Sequence, residues 1–548
     1  MNEQRKNGLK VWMPLLFSVV LIAGMTLGFN LRDTLRNKRD IQTIIERNDR
    51  LEEIVDLINE KYVDSVNTNL LYKDAVTGIL SHLDPHTVYI PADELESANE
   101  DLEGGFFGIG VEFAIVRDTI EVTSVIQGGP AERAGVEIGD QLIKVGDSVV
   151  AGIKITSDHI ISMLKGKQNS RVYVTLQNAY TDRQRQVAIT RDVVPIYSVE
   201  SSLMLDSVTG FIKINRFSAN TYDEFATALK KLKATGMKHL IVDLRENPGG
   251  YLDAATMIAD EFLDDQKLIV YTQGLHSQRT DYKANEFGMF EKGRLAILVD
   301  ESSASASEIL SGAIQDWDRG VIIGRRTFGK GLVQEQFEMN DGAALRLTIA
   351  KYYTPSGRCI QRSFAKGKDS YQKDFEHRFE TGELTGRDTT GMQDTIKYYT
   401  ANHRVVYGGG GIKPDIYVPY DTTRFSAGLL TMIYSEDLKA LIWDYFIRNR
   451  NVQKYRNIND FDLRFNGENE LTTKYVASLK LTPEKRVAIR LLSKPKNAEY
   501  FKLLVKAQLA RFYFRENGFY SISTKDDNVV QKALHVLSSD EYSKIISR

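Results

Sequence analysis

A single cysteine, Cys359, stands in 548 residues. That excludes an intrachain disulfide framework and any zinc cluster built on several thiolates. Its only basic neighbour is Arg358, so Cys359 reads as a structural residue rather than a nucleophile. An excess of one charge is missing too: 71 Lys and Arg stand against 73 Asp and Glu, well mixed, for a formal net charge of -2. Such a surface offers nucleic acid no basic patch. Repeats and low-complexity tracts are absent, and at this length the chain has room for about three or four domains of roughly 150 residues each. None of the eight histidines falls in the stretch carrying the best nucleophile, which tells against a histidine-based hydrolase.

That stretch is 299–334, VDESSASASEILSGAIQDWDRGVIIGRRTFGKGLVQ. Residues 295–300, LAILVD, form a continuous apolar run expected of a strand buried on both faces, and 306–317 then shows helical spacing. Ser305 sits at the junction. A strand-to-helix turn holds a hydroxyl at the end of a sheet, beside unpaired helix amides that can stabilise an oxyanion, with Ala306 as one such donor. A second short strand, 321–324, leads into RTFGKG, a turn that can fold Lys330 toward that hydroxyl. A lysine made neutral by burial can act as a base, and Ser-Lys pairs are a known form of the nucleophile-base arrangement. Ser305 and Glu308 also satisfy the S-x-x-E capping box, and a loop lysine is commonly solvated.

The stretch resembles the C-terminal processing peptidases, or tail-specific proteases. Their signature is a serine in S-A-S-A-S-E, then F-G-K-G and a glutamine, matched here at Ser305, Lys330 and Gln334. The resemblance implies a serine endopeptidase with Ser305 as nucleophile, Lys330 as general base and acid, and Gln334 orienting the lysine. It implies no metal and no organic cofactor. A protease fold that has lost activity and only presents protein C-termini is the rival reading, and the intact Ser305, Lys330 and Gln334 argue against it.

Residues 11–29 are charge-free and mostly apolar, flanked by Arg5, Lys6, Lys10 and Arg32, near the minimum length of a membrane span. They read as an uncleaved anchor, since no small-x-small cleavage pattern follows and no lipobox is possible without a nearby cysteine. Positive charge on both sides leaves orientation open. The resemblance implies a single-pass protein of the inner (cytoplasmic) membrane with its catalytic part in the periplasm. Residues 41–83 carry apolar positions at helical spacing, among them Ile54, Leu57, Leu70 and Ile79. His82, Asp84 and His86 alternate like metal ligands but read better as a Pro-terminated helix end.

Residues 104–194 begin with GGFFGIGVEF and continue through alternating strands, PAERAG, GDQLIKV and a helical stretch at 157–164. This segment resembles a PDZ domain, in which glycine-rich loop amides capture a chain's terminal carboxylate. By position that loop is Phe107, Gly108, Ile109 and Gly110. The implied partners are proteins or peptides with free C-termini.

From about residue 197 strands alternate with helices, at 222–235 and 252–262, which argues for an α/β core. The resemblance makes it a crotonase-like ββα-spiral. NPGG at 247–250 follows a buried strand, where its glycines suit either a plain turn or the close approach of an amide to a substrate carbonyl, and the resemblance implies that Gly249 or Gly250 is the second oxyanion donor. The family form has Asn where Glu246 stands. Residues 362–404 are polar and read as a surface insertion, and helical patterns at 429–449, 483–492 and 498–517 suggest an α-helical C-terminal domain able to pair protomers or hold an adaptor. The expected division is therefore 1–40 tail and transmembrane helix, 41–100 helical lead-in, 101–195 PDZ domain, 196–420 α/β protease core and 421–548 helical domain.

Overall fold

The computed structural model describes residues 50–547 apart from 179–180, 286, 366, 388–395, 422–426, 451–453 and 480–482. Contacts divide the chain into two units, Met1–Leu83 and Asp84–Arg548. The proposed anchor at 11–29 lies outside the described residues, and among the described residues no helix is long and apolar enough to cross a membrane. The first unit holds a helix over 50–61 and another at Thr68–Leu80, the latter capped by Asn67, whose side chain accepts the Leu70 amide. Helical spacing located both. Yet Ile54, Leu57, Leu70 and Ile79 are each more than half exposed, so the described residues leave that apolar stripe uncovered.

In the second unit a six-stranded sheet runs Val199–Met204, Thr209–Ile214, His239–Asp243, Arg294–Val299, Val321–Gly324 and Ile416–Tyr417 in spatial order. Every neighbouring pair but the first is parallel. Parallel strands are covered on both faces, which is why 295–299 is apolar without alternation. Leu295, Ile297 and Val299 pack with the helices Thr221–Ala234, Leu252–Asp260 and Ala306–Asp316. Ala296 and Leu298 face the other way, onto Val529, Val530, Ala533 and Leu537 of the helix Asn528–Ser538. The last helices thus form the second covering layer of this sheet. A boundary at residue 421 cuts them from the core they complete. Arg245 seals the seam, pairing with Asp243 at 2.6 Å and with Asp527, the cap of that last-layer helix, at 2.8 Å.

A second sheet orders Val88–Ile90, Ala344–Tyr353, Leu268–Gln273 and Thr280–Lys283, and Leu332–Glu338 also pairs with Ala344–Tyr353. A third, antiparallel sheet runs Val111–Val116, Thr119–Val125, Asp140–Val145, Arg171–Asn178 and Gln184–Thr190. The helix Ser157–Leu164 packs on it through Ile160 and Leu164. Val111–Val116 is its edge, with backbone groups available to a further strand.

Two expected elements differ. The 429–449 helix is two helices, Ala427–Ile433 and Glu436–Asn449, because Ser435 caps the second by accepting the Leu438 amide. The 498–517 helix extends over Pro495–Ser523 and breaks at Phe514 and Arg515, whose backbone angles leave the helical region. The 362–404 stretch is not simply surface, since its short helices Lys368–Gln372 and Asp374–Glu380 bury Tyr371 and Arg378.

Candidate active site

Where the strand Arg294–Val299 ends, Asp300 tightens the turn by accepting the amides of Ser302 and Ser303 at 3.0 and 3.1 Å. Ser305 follows with φ 54° and ψ -113°. A positive φ strains an L-residue, and here it projects a side chain from a sharp strand-to-helix turn. Ala304 and Ala306 are buried while Ser305 is half-buried, so its hydroxyl is the group this turn presents. The Ala306 amide, first in its helix, has no acceptor among the described residues.

The facing loop is organised by Asn247, which is fully buried. Its carbonyl accepts the Ala304 amide at 3.0 Å and the Ser307 hydroxyl at 3.0 Å, and its side-chain nitrogen donates to the Ile214 carbonyl. Its Oδ1 accepts the Gly249 amide at 2.9 Å. That separates the two glycines. Gly249 is a packing residue: at φ 100°, a Cβ there would lie 2.8 Å from the Ser305 Cβ and 2.7 Å from the Ala304 carbonyl. Gly250 keeps its amide free of any partner among the described residues, and its backbone lies so close to Phe217 that a Cβ would stand 2.0 Å from that carbonyl oxygen. Glu246, the departure from the family's Asn, adopts φ 61° and donates its amide to Asp300 at 3.0 Å. Asn is at ease in that left-handed region and Glu is not, so Glu246 holds this turn at a local cost in backbone energy.

Lys330 reaches the same place through its backbone. The buried Glu308 carboxylate accepts the amides of Ser305, Gly329 and Lys330 at 2.9, 2.7 and 2.8 Å, and the Thr327 hydroxyl. The capping-box glutamate thus ties the serine turn to the lysine loop. Burial pushes its pKa up, against the pull of those four donors. On the other side the fully buried Tyr352 hydroxyl lies 3.0 Å from the Ser305 carbonyl and 2.7 Å from the Lys330 carbonyl, its single proton serving one at a time.

Lys330 Nζ donates to Gln334 Oε1 at 2.9 Å, and Gln334 Nε2 donates to the His86 carbonyl at 2.5 Å. No hydrogen bond joins Lys330 Nζ to Ser305 Oγ among those described. Burial, aided by the positive charge of Arg346, lowers the Lys330 pKa, while Asp84 and Glu308 oppose the shift. Asp84 fixes the His86 turn by accepting the amides of His86 and Thr87 and the Thr87 hydroxyl. It serves the turn, as the helix-end reading expects. Burial and then Lys330 push the His86 pKa down to about 4, and its Nε2 lies 2.9 Å from the Tyr371 hydroxyl, so this imidazole is a weak base. Burial raises the Cys359 thiol, which agrees with a structural role.

In the antiparallel domain, Phe107 and Gly108 pair with Val193 and Asp192. The Ile109 and Gly110 carbonyls accept the Ala131 and Ile126 amides, while the amides of Ile109 and Gly110 have no acceptor among the described residues.

Among known proteins, residues 208–369 match peptidase family S41 and residues 121–178 match a PDZ domain. A probable CtpA-like serine protease of Staphylococcus aureus is 32% identical over 368 residues, 66% of this chain and 72% of that protein. This chain belongs to peptidase family S41. It is a serine-type peptidase of the C-terminal processing kind. The Staphylococcus epidermidis CtpA-like protein is 33% identical over 313 residues, covering 57% of this chain and 62% of its own length. Among solved structures, the photosystem II D1 C-terminal processing protease is 28% identical, covering 57% of this chain and 82% of that one at a TM-score of 0.33.

Beyond the signature residues, the structure brings to this S41 site groups to which the sequence assigned no part there: Asn247, Tyr352 and the His86 carbonyl. Glu308 stood out only as a helix cap. Asn247 opens the NPGG loop and His86 lies in the Pro-terminated helix end with His82 and Asp84, and those two segments carried the available signal.

Proposed function

We propose that this S41 peptidase is a membrane-anchored endopeptidase that selects proteins by their C-termini and cleaves them with a Ser305–Lys330 dyad. The observation that carries the reading is the shared carboxylate of Glu308, which holds both backbones of the pair beside two unengaged amides. Ser305 Oγ attacks the scissile carbonyl carbon and passes its proton to neutral Lys330 Nζ. The amides of Ala306 and Gly250 receive the oxyanion, with Gly249 setting the fit against Ser305. Lys330 then protonates the departing amine, leaving an acyl-enzyme that water opens by the reverse transfers. Nζ leaves or shares its bond to Gln334 for this, which the flexible lysine stem permits. The mixed sheet with helices on both faces supports a crotonase-like core.

Phe107, Gly108, Ile109 and Gly110 are the proposed cradle for a substrate's terminal carboxylate, and the edge strand Val111–Val116 the line along which the chain end adds. A charge-assisted bond contributes about 1.5–3 kcal/mol, so amidating the tail should weaken capture roughly ten- to a hundredfold. Rates of cleavage of one unfolded polypeptide with free and amidated tails, at sub-saturating concentration, test this. Equal rates would remove C-terminal reading from the proposal.

In this reading residues 11–29 anchor the enzyme in the cytoplasmic membrane, and the family resemblance, not the flanking charges, favours a catalytic part on the periplasmic side. Deleting 1–29 is expected to give a soluble enzyme with undiminished peptidase activity. Finding the full-length gene product in the soluble fraction with a shortened N-terminus sinks the anchor.

A further inference from the structure

The loop that carries Lys330 has an almost complete backbone account. The amides of Thr327, Phe328 and Gly331 donate to the Ile412 carbonyl, the Ser303 carbonyl and Gln361 Oε1, and those of Gly329 and Lys330 to Glu308. The carbonyls of Gly329, Lys330 and Gly331 accept from the Arg362 amide, the Tyr352 hydroxyl and the Tyr352 amide. Three carbonyls remain, those of Arg326, Thr327 and Phe328, and all three turn to one side chain. Arg378 reaches them at 3.0, 3.0 and 3.4 Å from a position 1% exposed. Buried backbone acceptors need such partners, and a planar fork suits several carbonyls at once.

Arg378 belongs to the polar stretch that the sequence offered as surface, and the S41 match ends before it, at residue 369. The stretch makes further attachments to the same loop. Glu383 pairs with both forks of Arg326 at 2.6 and 2.7 Å. The ring of Tyr371 stands edge-on to Phe328 and to His86, and its hydroxyl meets His86 Nε2. His86 is the residue whose carbonyl holds Gln334, the partner of Lys330. Arg362 lies over the rings of Phe328 and Tyr371, at 4.0 and 3.8 Å from their centroids, and pairs with Asp374, which also holds Arg378. The segment therefore grips the lysine from two directions, by the loop before it and by the orienting chain beside it.

We infer that the segment 368–387 is a brace for the lysine loop, with Arg378 and Tyr371 as positioning residues that hold Lys330 in its working place. The inference rests on the reading of Lys330 as the base. Neither residue touches substrate. Loss of the brace should slow the chemical steps and leave substrate capture, assigned above to the PDZ domain, unchanged.

The test compares full-length wild type, Arg378→Gln, Arg378→Lys, Tyr371→Phe and Lys330→Ala on one labelled unfolded polypeptide, with thermal melting and the rate of Ser305 labelling by a fluorophosphonate. Arg378→Gln is expected to lower kcat roughly ten- to a hundredfold with KM within about twofold. The labelling rate should fall in parallel. Arg378→Lys, keeping the charge but not the fork, should recover part of both. A folded Arg378→Gln with wild-type kcat overturns the brace, as does a loss that tracks only the folded fraction. If Arg378→Gln does not fold, Tyr371→Phe decides: a kcat loss of about threefold or more at unchanged melting temperature supports the brace, and wild-type kcat overturns it. An active Lys330→Ala overturns the dyad and the brace together, whereas an inactive Lys330→Ala beside fully active Arg378 and Tyr371 variants overturns the brace alone.

Discussion

Ser305→Ala and Lys330→Ala are each expected to bring peptide cleavage to near background, a loss on the order of 10⁴-fold or more, with melting temperatures close to wild type. The double variant should be no worse than either single one, because nucleophile and base act as a unit. Lys330→Arg should fail as well, since guanidinium stays protonated and cannot take the serine proton. Activity should rise with pH as Lys330 loses its proton, and burial sets that rise below the ordinary lysine range. Purified Lys330→Ala that keeps most of its activity removes the dyad.

The next largest effect is expected at Glu308. The glutamine of Glu308→Gln has one acceptor oxygen where the carboxylate has two, so it cannot serve the amides of Ser305, Gly329 and Lys330 and the Thr327 hydroxyl together. Each unmet buried donor costs about 1–3 kcal/mol, and about 2–4 kcal/mol spent in displacing the pair amounts to roughly 30- to 1,000-fold in kcat/KM. The sign of a second effect is fixed by charge. Glu308 holds the Lys330 pKa up, so its neutralisation should move the acid limb of the residual activity to lower pH. A steady-state pH profile reads both effects. An unchanged rate with an unchanged limb would mean that this carboxylate is only a helix cap.

The local elements were legible because their signals are local. Residues 295–299 announce a fully covered strand, Ser305 stands where strand gives way to helix, and 157–164 is helical as its pattern and its Thr156 cap require. The signature placed Ser305, Lys330 and Gln334 together, and in the structure they meet through Glu308, Tyr352 and His86. What pattern could not reach are contacts made over long sequence separations by single polar side chains. Asn247 carries no signal of its own in NPGG, yet its Oδ1 takes the Gly249 amide and so leaves only the Gly250 amide of the two unengaged among the described residues. Arg378, in a stretch poor in aliphatics, is buried because three carbonyls and Asp374 replace its water, an exchange invisible to hydrophobic periodicity. The helix Asn528–Ser538 looked like part of an appended domain because amphipathic spacing shows that a face is buried, not against what.

The most direct measurement is to treat the purified full-length enzyme with a fluorophosphonate across a pH series and to locate the adduct by peptide mass spectrometry. One adduct is expected, on Ser305, forming faster as pH rises and nearly absent in Lys330→Ala. An adduct on another residue, or Ser305 labelled equally fast without Lys330, would contradict the Ser305–Lys330 dyad.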